Sequence, residues 1–180
     1  MDTLWSPWRM AYINGDPGEA AATQAAGAAT EPARAPGCIF CTKPAEPPAQ
    51  DRKNLLLWRG RSCFVILNLY PYNSAHLMVV PYRHLRDFTA LTPEESAELL
   101  AVAQQMVRAL TTEYHPEGFN LGMNLGEVAG AGIADHLHLH IVPRWAGDTN
   151  FMPVVGQTKV LPEALEQTYD RLRRALERLA

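Results

Sequence analysis

Several features that would point directly to a class of protein are missing from this sequence. The longest apolar run falls well short of the roughly 20 residues that a membrane-spanning helix needs, so we expect no membrane partner. Acidic residues outnumber basic ones, 19 to 16, and the formal charge of -3 argues against a surface for long nucleic acid. The opening "MDTLWSPWRMAYI" is broken by charge and proline, unlike a secretory signal, so we expect a cytoplasmic protein.

Cysteine is also scarce, and its three copies cannot all pair within the chain. Cys38 and Cys41 form a "CIFC" pair, which in a reducing compartment indicates metal binding or redox chemistry. This spacing suits a tetrahedral Zn²⁺, which would take two more ligands, and histidines are the obvious candidates. A cysteine pair without metal is the alternative. Cys63 lies in the apolar run "CFVIL" and is expected in the core.

Length and composition predict one folded domain preceded by a linker. The chain has 180 residues, within the size of a single domain. Residues 14–36 are almost entirely Ala, Gly, Pro, Thr and acidic groups, so we predict a disordered linker there. Residues 1–13 carry aromatic and apolar side chains, so we predict an arm that docks on the body or on a partner. Residues 37–180 would form the single domain.

The pattern of apolar residues predicts an α+β fold, an antiparallel sheet with helices laid on it. A helix is expected from Thr92 to Tyr114, because Thr92 and Glu95 form a capping box around Pro93 and apolar residues follow at helical spacing. A second amphipathic helix is expected over residues 163–180. The expected strands lie in the segments "NLLLW", "SCFVILNL", "SAHLMVVPY", "GFNLGMNLG" and "HLHLHIVPR".

The last of these strands contains three histidines at alternate positions, His136, His138 and His140. Side chains alternate across a strand, so the histidines share one face and the aliphatic residues between them share the other. We expect the aliphatic face to be buried and the histidine face to look into a cleft. Such imidazoles serve as metal ligands, as acid, base or nucleophile, or only as hydrogen-bonding groups, and the strict alternation favours a functional role.

Together these segments resemble the histidine triad (HIT) family. The stretch His136-Leu-His138-Leu-His140-Ile-Val matches the family signature of alternating histidines and apolar residues. The resemblance covers residues 54–162, including "NLYPYNSAHLMVVPYRH" and "PRWAGDTNF", which are similar to segments of the bacterial branch that includes diadenosine tetraphosphate phosphorylases. It implies a HIT-like fold with an antiparallel sheet, a long amphipathic helix and a C-terminal helix.

The resemblance implies nucleotidyl transfer at an α-phosphate. His138 matches the nucleophile that forms a nucleotidyl-histidine intermediate, and an imidazole with a pKa of about 6.5 is largely available for this at pH 7. His140 matches the residue that contacts the phosphate and helps the leaving group depart. His76 matches a supporting histidine of the neighbouring strand.

Nucleotide-binding residues are implied in the same way. Asn68 matches a position that hydrogen-bonds the ribose hydroxyls, Ile66 would line the base pocket, and Asn124 matches a phosphate contact. The loop with Gly130 and Gly132 can bring backbone N–H groups to phosphate oxygens. One departure is that relatives often place Ser, Thr or Gln just before the triad, where this chain has "AGAGIAD".

Aromatic residues near the motif leave two interpretations open. Trp145, Tyr70 and Tyr72 could wall the cleft and stack on a second nucleotide, or they could pack at a strand end or a dimer seam. The resemblance also implies a homodimer, which the helix from Thr92 to Tyr114 could mediate.

The resemblance makes the metal prediction specific. Members with a CxxC pair hold a structural zinc with the two cysteines, a histidine after the "VP" turn and the first histidine of the triad. In this chain these residues are Cys38, Cys41, His84 and His136.

The function expected from this resemblance is cleavage of a dinucleoside polyphosphate such as diadenosine tetraphosphate. Phosphate as the acceptor would make the protein a phosphorylase that yields ADP and ATP, whereas water would make it a hydrolase that yields AMP and ATP. The bacterial branch favours the phosphorylase. The alternatives are a nucleoside phosphoramidate hydrolase, a non-catalytic nucleotide-binding zinc module, and a metalloenzyme that uses the three histidines directly.

Overall fold

The computed structural model describes residues 35–149, 152–156 and 160–179. The predicted arm over residues 1–13 and nearly all of the predicted linker over residues 14–36 lie outside these ranges. The domain boundaries therefore stay a prediction.

A five-stranded antiparallel sheet forms the centre of the described chain, as the sequence predicts. The strands are β1 Leu56–Arg59, β2 Cys63–Leu67, β3 Leu77–Pro81, β4 Gly118–Gly122 and β5 Leu139–Arg144. Their order in the sheet is β1-β2-β3-β5-β4, and every neighbouring pair is antiparallel.

Two long helices pack on the sheet. They are α3, Pro93–Tyr114, and α5, Leu165–Leu179, and the shorter helices are α1, Ile39–Thr42, α2, Asp51–Asn54, and α4, Met152–Val155. The capping box predicted at Thr92 is present with both of its hydrogen bonds. Helix α5 begins at Leu165, two residues later than predicted. The Glu163 carboxylate before it accepts hydrogen bonds from the Tyr114 and Thr168 hydroxyls. No helix in the described ranges is long and apolar enough to cross a membrane.

The two faces of the sheet bury different sets of residues. One face packs against α3 and α5 and contains Cys63, Leu139 and Ile141, so the predictions that Cys63 is a core residue and that the aliphatic face is buried are confirmed. The opposite face carries a smaller apolar cluster that includes Phe40 and Ile66. The histidines belong to this second face, since His140 is paired with Met78 of that cluster.

Two strand starts differ from the prediction. Strand β1 begins at Leu56 because Asn54 still belongs to α2 and Leu55 follows with a left-handed φ of 60°. Strand β5 begins at Leu139, so His136 and His138 precede it. Strand β3 ends at Pro81, which has no N–H to continue the ladder, and the Leu137 N–H donates to the Leu85 carbonyl at 2.7 Å instead.

Candidate active site and metal centre

The three motif histidines form a row that is nearly closed to solvent. His136 is 0%, His138 is 6% and His140 is 9% exposed. His138 and His140 line a cavity, as expected for the histidine face. His136 instead faces a cysteine pair at the other end of the row.

That end brings together four side chains that could hold a metal ion. The ligand atoms of Cys38, Cys41, His84 and His136 all lie within 4.8 Å of one another. His136 Nδ1 is 3.4 Å from Cys38 Sγ, 3.6 Å from Cys41 Sγ and 3.2 Å from His84 Nδ1. His84 Nδ1 is 3.5 Å from Cys41 Sγ.

These distances fit the edges of one tetrahedron around Zn²⁺. Zinc bonds of about 2.0–2.1 Å to nitrogen and 2.3 Å to sulfur give ligand-to-ligand edges of roughly 3.3–3.8 Å. The second nitrogen of His136 has a fixed role, because Nε2–H donates to the Pro81 carbonyl at 2.9 Å. That bond leaves the Nδ1 lone pair free for a metal, as expected of a ligand with an ordered outer contact.

The cysteine-bearing segment is held to the sheet by Arg59 of β1. Its guanidinium donates to the Asp51 carboxylate and to the backbone carbonyls of Pro44 and Glu46. An arginine can satisfy several acceptors at once because its donors form a rigid planar fork. This network fixes the segment that follows Cys41 relative to the strands that carry the histidines.

His138 presents a different atom from His136. Its Nδ1 lies 2.8 Å from the His136 carbonyl, and since a carbonyl only accepts, Nδ1–H is the donor. The Nε2 atom therefore carries the lone pair on a side chain that lines the cavity. Burial lowers the pKa of His138, so this imidazole is neutral at pH 7. The arrangement is that of an available nitrogen nucleophile.

His140 presents a donor rather than a lone pair. The backbone N–H of Tyr72 donates to His76 Nδ1 at 3.0 Å, so the proton of neutral His76 is on Nε2. His76 Nε2–H then donates to His140 Nδ1 at 2.9 Å, which places the His140 proton on Nε2. His140 Nε2 is buried and has no hydrogen-bond partner within the described ranges.

The same burial keeps the His76–His140 pair neutral. Burial, reinforced by the charges of His140 and His138, lowers the pKa of His76 to about 3. Burial and the neighbouring His138 lower the pKa of His140 to about 4. Because both imidazoles are neutral at pH 7, the proton positions inferred from these hydrogen bonds predominate at that pH.

The cavity beside His138 has a volume of about 410 Å³, within the range of small-molecule sites. Its mostly apolar wall combines residues from α1, β2 and the loop before β5. Of the predicted nucleotide-binding residues, Ile66, Asn68, Gly130 and Gly132 line it. Gly130 has a φ of 90°, a conformation that favours glycine.

Two other predicted nucleotide-binding residues, Asn124 and Trp145, do not line the cavity beside His138. Asn124 lines a neighbouring cavity and donates to the Gly130 carbonyl at 3.3 Å. Trp145 lies outside the cavity beside His138, and its indole N–H donates to the Tyr114 carbonyl at 3.3 Å. Its contacts are those of packing at a strand end, the alternative interpretation. Tyr70 and Tyr72 do wall the cavity beside His138.

The sequence patterns missed two features of the site. The Phe40 ring lies 5.4 Å from the His136 ring and 5.2 Å from the His138 ring, so it connects the cysteine pair to the cavity. Its position between the two cysteines was the available signal. The second feature is a network in which the Asp148 carboxylate accepts from Asn73 and Arg144. No local pattern connects Asn73 with Asp148.

Comparison with protein families matches the HIT domain to residues 51–147. The chain belongs to the histidine triad family. It is 42% identical to the AP-4-A phosphorylase of Mycobacterium tuberculosis over 168 residues, which cover 93% of this chain and 80% of that protein. It is 30% identical to a bifunctional bis(5'-adenosyl)-triphosphatase/adenylylsulfatase of Arabidopsis thaliana over 122 residues, 65% of this chain and 67% of that one.

The fold is also similar to that of solved structures. A Zn-bound histidine triad family protein from Mycobacterium smegmatis superposes with a TM-score of 0.63 and 29% sequence identity. The match covers 79% of this chain and 95% of that one.

Proposed function

We propose that this protein is a nucleotidyl transferase that cleaves dinucleoside polyphosphates at the α-phosphate, and that it acts as a diadenosine tetraphosphate phosphorylase. The observation that carries the proposal is that two neighbouring side chains lining the cavity have complementary ring atoms, a lone pair on His138 Nε2 and an N–H without a partner on His140 Nε2. A nucleophile beside a donor is the combination that transfer at phosphorus requires. The 42% identity to an AP-4-A phosphorylase supports the substrate.

The first chemical step uses His138. Its Nε2 lone pair attacks the α-phosphorus, the phosphorus–oxygen bond to the rest of the polyphosphate chain breaks, and that chain leaves as ATP. The Nδ1–H bond to the His136 carbonyl holds the ring in place and stabilises the positive charge that the imidazole gains. The product on the protein is an adenylyl-histidine.

The second step releases the nucleotide. An oxygen of inorganic phosphate attacks the same phosphorus, the phosphorus–nitrogen bond breaks, and ADP leaves with His138 restored. His140 Nε2–H donates to a phosphate oxygen in both steps and stabilises the charge that develops there. Asn68 holds His76, because its amide nitrogen lies 3.3 Å from His76 Nδ1. In the predicted ribose contact, its Oδ1, which already accepts from the Tyr70 N–H, would accept from the ribose hydroxyls with its second lone pair.

We further propose that Cys38, Cys41, His84 and His136 bind a structural Zn²⁺. Four ligand-to-ligand distances of 3.2–3.6 Å, close to the edges of a tetrahedron around zinc, support this, as does the Zn-bound relative. The ion would cross-link α1 to the start of the histidine row. It would supply no reactive group. Through Phe40, whose ring lines the cavity beside His138, the cross-link would also fix one wall of the nucleotide cavity.

Hydrolysis is the second candidate, favoured by the Arabidopsis relative, whose name describes a triphosphatase. Water in place of phosphate would release AMP rather than ADP. The cytoplasmic location and the homodimer stay predictions.

Product analysis separates the candidates. The protein is incubated with diadenosine tetraphosphate with and without inorganic phosphate, and the nucleotides are resolved by chromatography. ADP and ATP in equal amounts, formed only with phosphate, would support the phosphorylase, and AMP with ATP would support the hydrolase. Intact substrate under both conditions would contradict the proposal.

A further inference from the structure

A second cavity lies beside the one next to His138, and the nucleotidyl-transfer chemistry leaves it unused. It has a volume of about 370 Å³. The side chains of His140 and Tyr72 line both cavities, so the two are adjacent at these residues. We call the second cavity the trough; its walls include Asn120, Gly122, Val142 and Arg144.

The trough continues the face of the sheet that carries the histidine row. Alternation along β5 places Val142 and Arg144 on the same face as His140. Across the ladder, Gly122 is paired with His140 and Asn120 with Val142. A Cβ at Gly122 would meet no atom within 4 Å, so the floor opposite His140 is open. Arg144 lies four positions after His140 along the strand, about 13 Å away, which is enough for a nucleoside.

Arg144 lies at the end of the trough away from His140, and hydrogen bonds fix the orientation of its guanidinium plane. Its Nε and Nη2 donate to the Asp148 carboxylate at 2.6 and 2.9 Å, and its Nη1 donates to the Asn120 side-chain oxygen at 2.6 Å. Asn73 donates to the same carboxylate at 2.7 Å, which ties this end to the loop that carries Tyr72. A fixed guanidinium plane and a half-exposed tyrosine ring are surfaces on which nucleobases stack.

The charges in the trough favour a neutral group over a free anion. Arg144 is already paired with Asp148, whose side chain is only 8% exposed. The charges of this pair cancel, so the trough has no field that would concentrate phosphate. The other lining side chains are uncharged amides, apolar groups, aromatic rings and the Thr149 hydroxyl.

We infer that the trough binds the second nucleoside of a dinucleoside polyphosphate, the one that departs with the leaving group. This inference rests on the proposed function. The first nucleoside occupies the cavity lined by Ile66, the α-phosphate lies at His138, and the chain passes His140 into the trough. The trough thus selects substrates with nucleosides at both ends of the phosphate chain.

The test compares two ligands that differ by one nucleoside. Diadenosine tetraphosphate and adenosine 5'-tetraphosphate are titrated by calorimetry into the His138→Ala protein, which cannot turn them over. The dinucleotide should bind about tenfold tighter or more, as expected for a stacked base. Two further changes are made separately in the His138→Ala protein: Arg144→Lys, which keeps the charge but removes the planar guanidinium, and Val142→Phe, which fills the trough. Each should bring the ratio of the two dissociation constants to within about twofold of one.

A matched control uses Arg52, which forms a similar two-bond pair with Asp170 away from both cavities. The Arg52→Lys change should leave the ratio intact. Equal binding of both ligands to the His138→Ala protein, or a ratio that neither trough variant changes, would overturn the inference while leaving the proposed function in place. Binding of neither ligand would overturn both. Tight binding of inorganic phosphate that Arg144→Lys abolishes would reassign the trough to the acceptor.

Discussion

The two ends of the histidine row carry the same residue type on one short stretch of chain, yet they offer different chemistry. At one end, His136 gives its Nε2–H to the Pro81 carbonyl and keeps a lone pair on Nδ1 beside two thiols. At the other end, His140 receives a hydrogen bond from His76 on Nδ1 and keeps an N–H on Nε2. His138, between them, keeps a lone pair on Nε2.

The difference lies in the partner of the second ring nitrogen. A carbonyl partner fixes the proton on the atom that faces it, whereas a histidine donor moves the proton to the far atom. Backbone and neighbouring strands therefore leave a different ring atom available on each of three identical side chains, as the proposed roles of metal ligand, nucleophile and donor require. The following experiments separate these roles, beginning with the largest expected effect.

Replacing His138 with alanine should abolish turnover and leave the metal end intact. Loss of a nucleophile typically lowers kcat by roughly 10⁴-fold or more. Steady-state cleavage of diadenosine tetraphosphate measures the loss, and metal analysis should still give one zinc per chain. Turnover within tenfold of the unmodified protein would contradict the nucleophile assignment.

Replacing His140 with alanine should weaken catalysis less than loss of the nucleophile does. Removing one positioned donor typically costs about 10²–10³ in kcat. Rapid-quench measurement of adenylyl-histidine formation should show the loss in the first chemical step. His115→Asn is the matched control, because His115 is exposed and takes a left-handed conformation at the end of α3 that asparagine tolerates. An equal effect of both changes would contradict a specific role for His140.

Replacing Cys41 with serine should remove the metal and mainly lower the stability of the protein. Loss of a structural metal belongs to the strongly destabilising class, and we expect about 3 kcal/mol lower free energy of unfolding. Denaturant unfolding and metal analysis measure the two consequences. Cys63→Ala is the control, since Cys63 lies in the core on the opposite face and should keep full zinc content. Full zinc content in the Cys41→Ser protein would refute the ligand assignment.

Replacing Thr92 with alanine should affect neither end of the row. It removes the capping hydrogen bond to Glu95 and should lower the free energy of unfolding by about 1 kcal/mol with kcat unchanged. Thr112→Ala, within the same helix and away from its cap, should change stability by less than half as much. A change in kcat with Thr92→Ala would mean that helix α3 is coupled to the row.

Sequence patterns predict the parts of this molecule that depend on residues close together in the chain, such as an alternating strand or a helix cap. The alternation of His136, His138 and His140 predicts a shared face, and the capping box predicts the start of α3 at Pro93. The metal set was implied by the family resemblance, and its four atoms do come together. These features depend on short-range spacing or on a known signature.

Contacts between distant residues escaped prediction for a physical reason. The Asn73–Asp148 hydrogen bond joins residues 75 positions apart, and no periodicity relates them. The late start of β5 depends on Pro81, which is in another strand and withholds a donor. The packing of Trp145 against Tyr114 likewise depends on where α3 ends.

The register of β5 against β3 ties the chemistry of the row to the correctness of folding. Met78 is paired with His140 and Val79 with Leu139. A slip by one residue would turn every side chain of β5 to the opposite face, with the His140 imidazole towards α3 and Leu139 and Ile141 on the cavity side. The His140 imidazole, buried there without a partner, would cost roughly 1–3 kcal/mol. The correct register, which the proposed chemistry of His140 requires, is therefore also the one that avoids this cost.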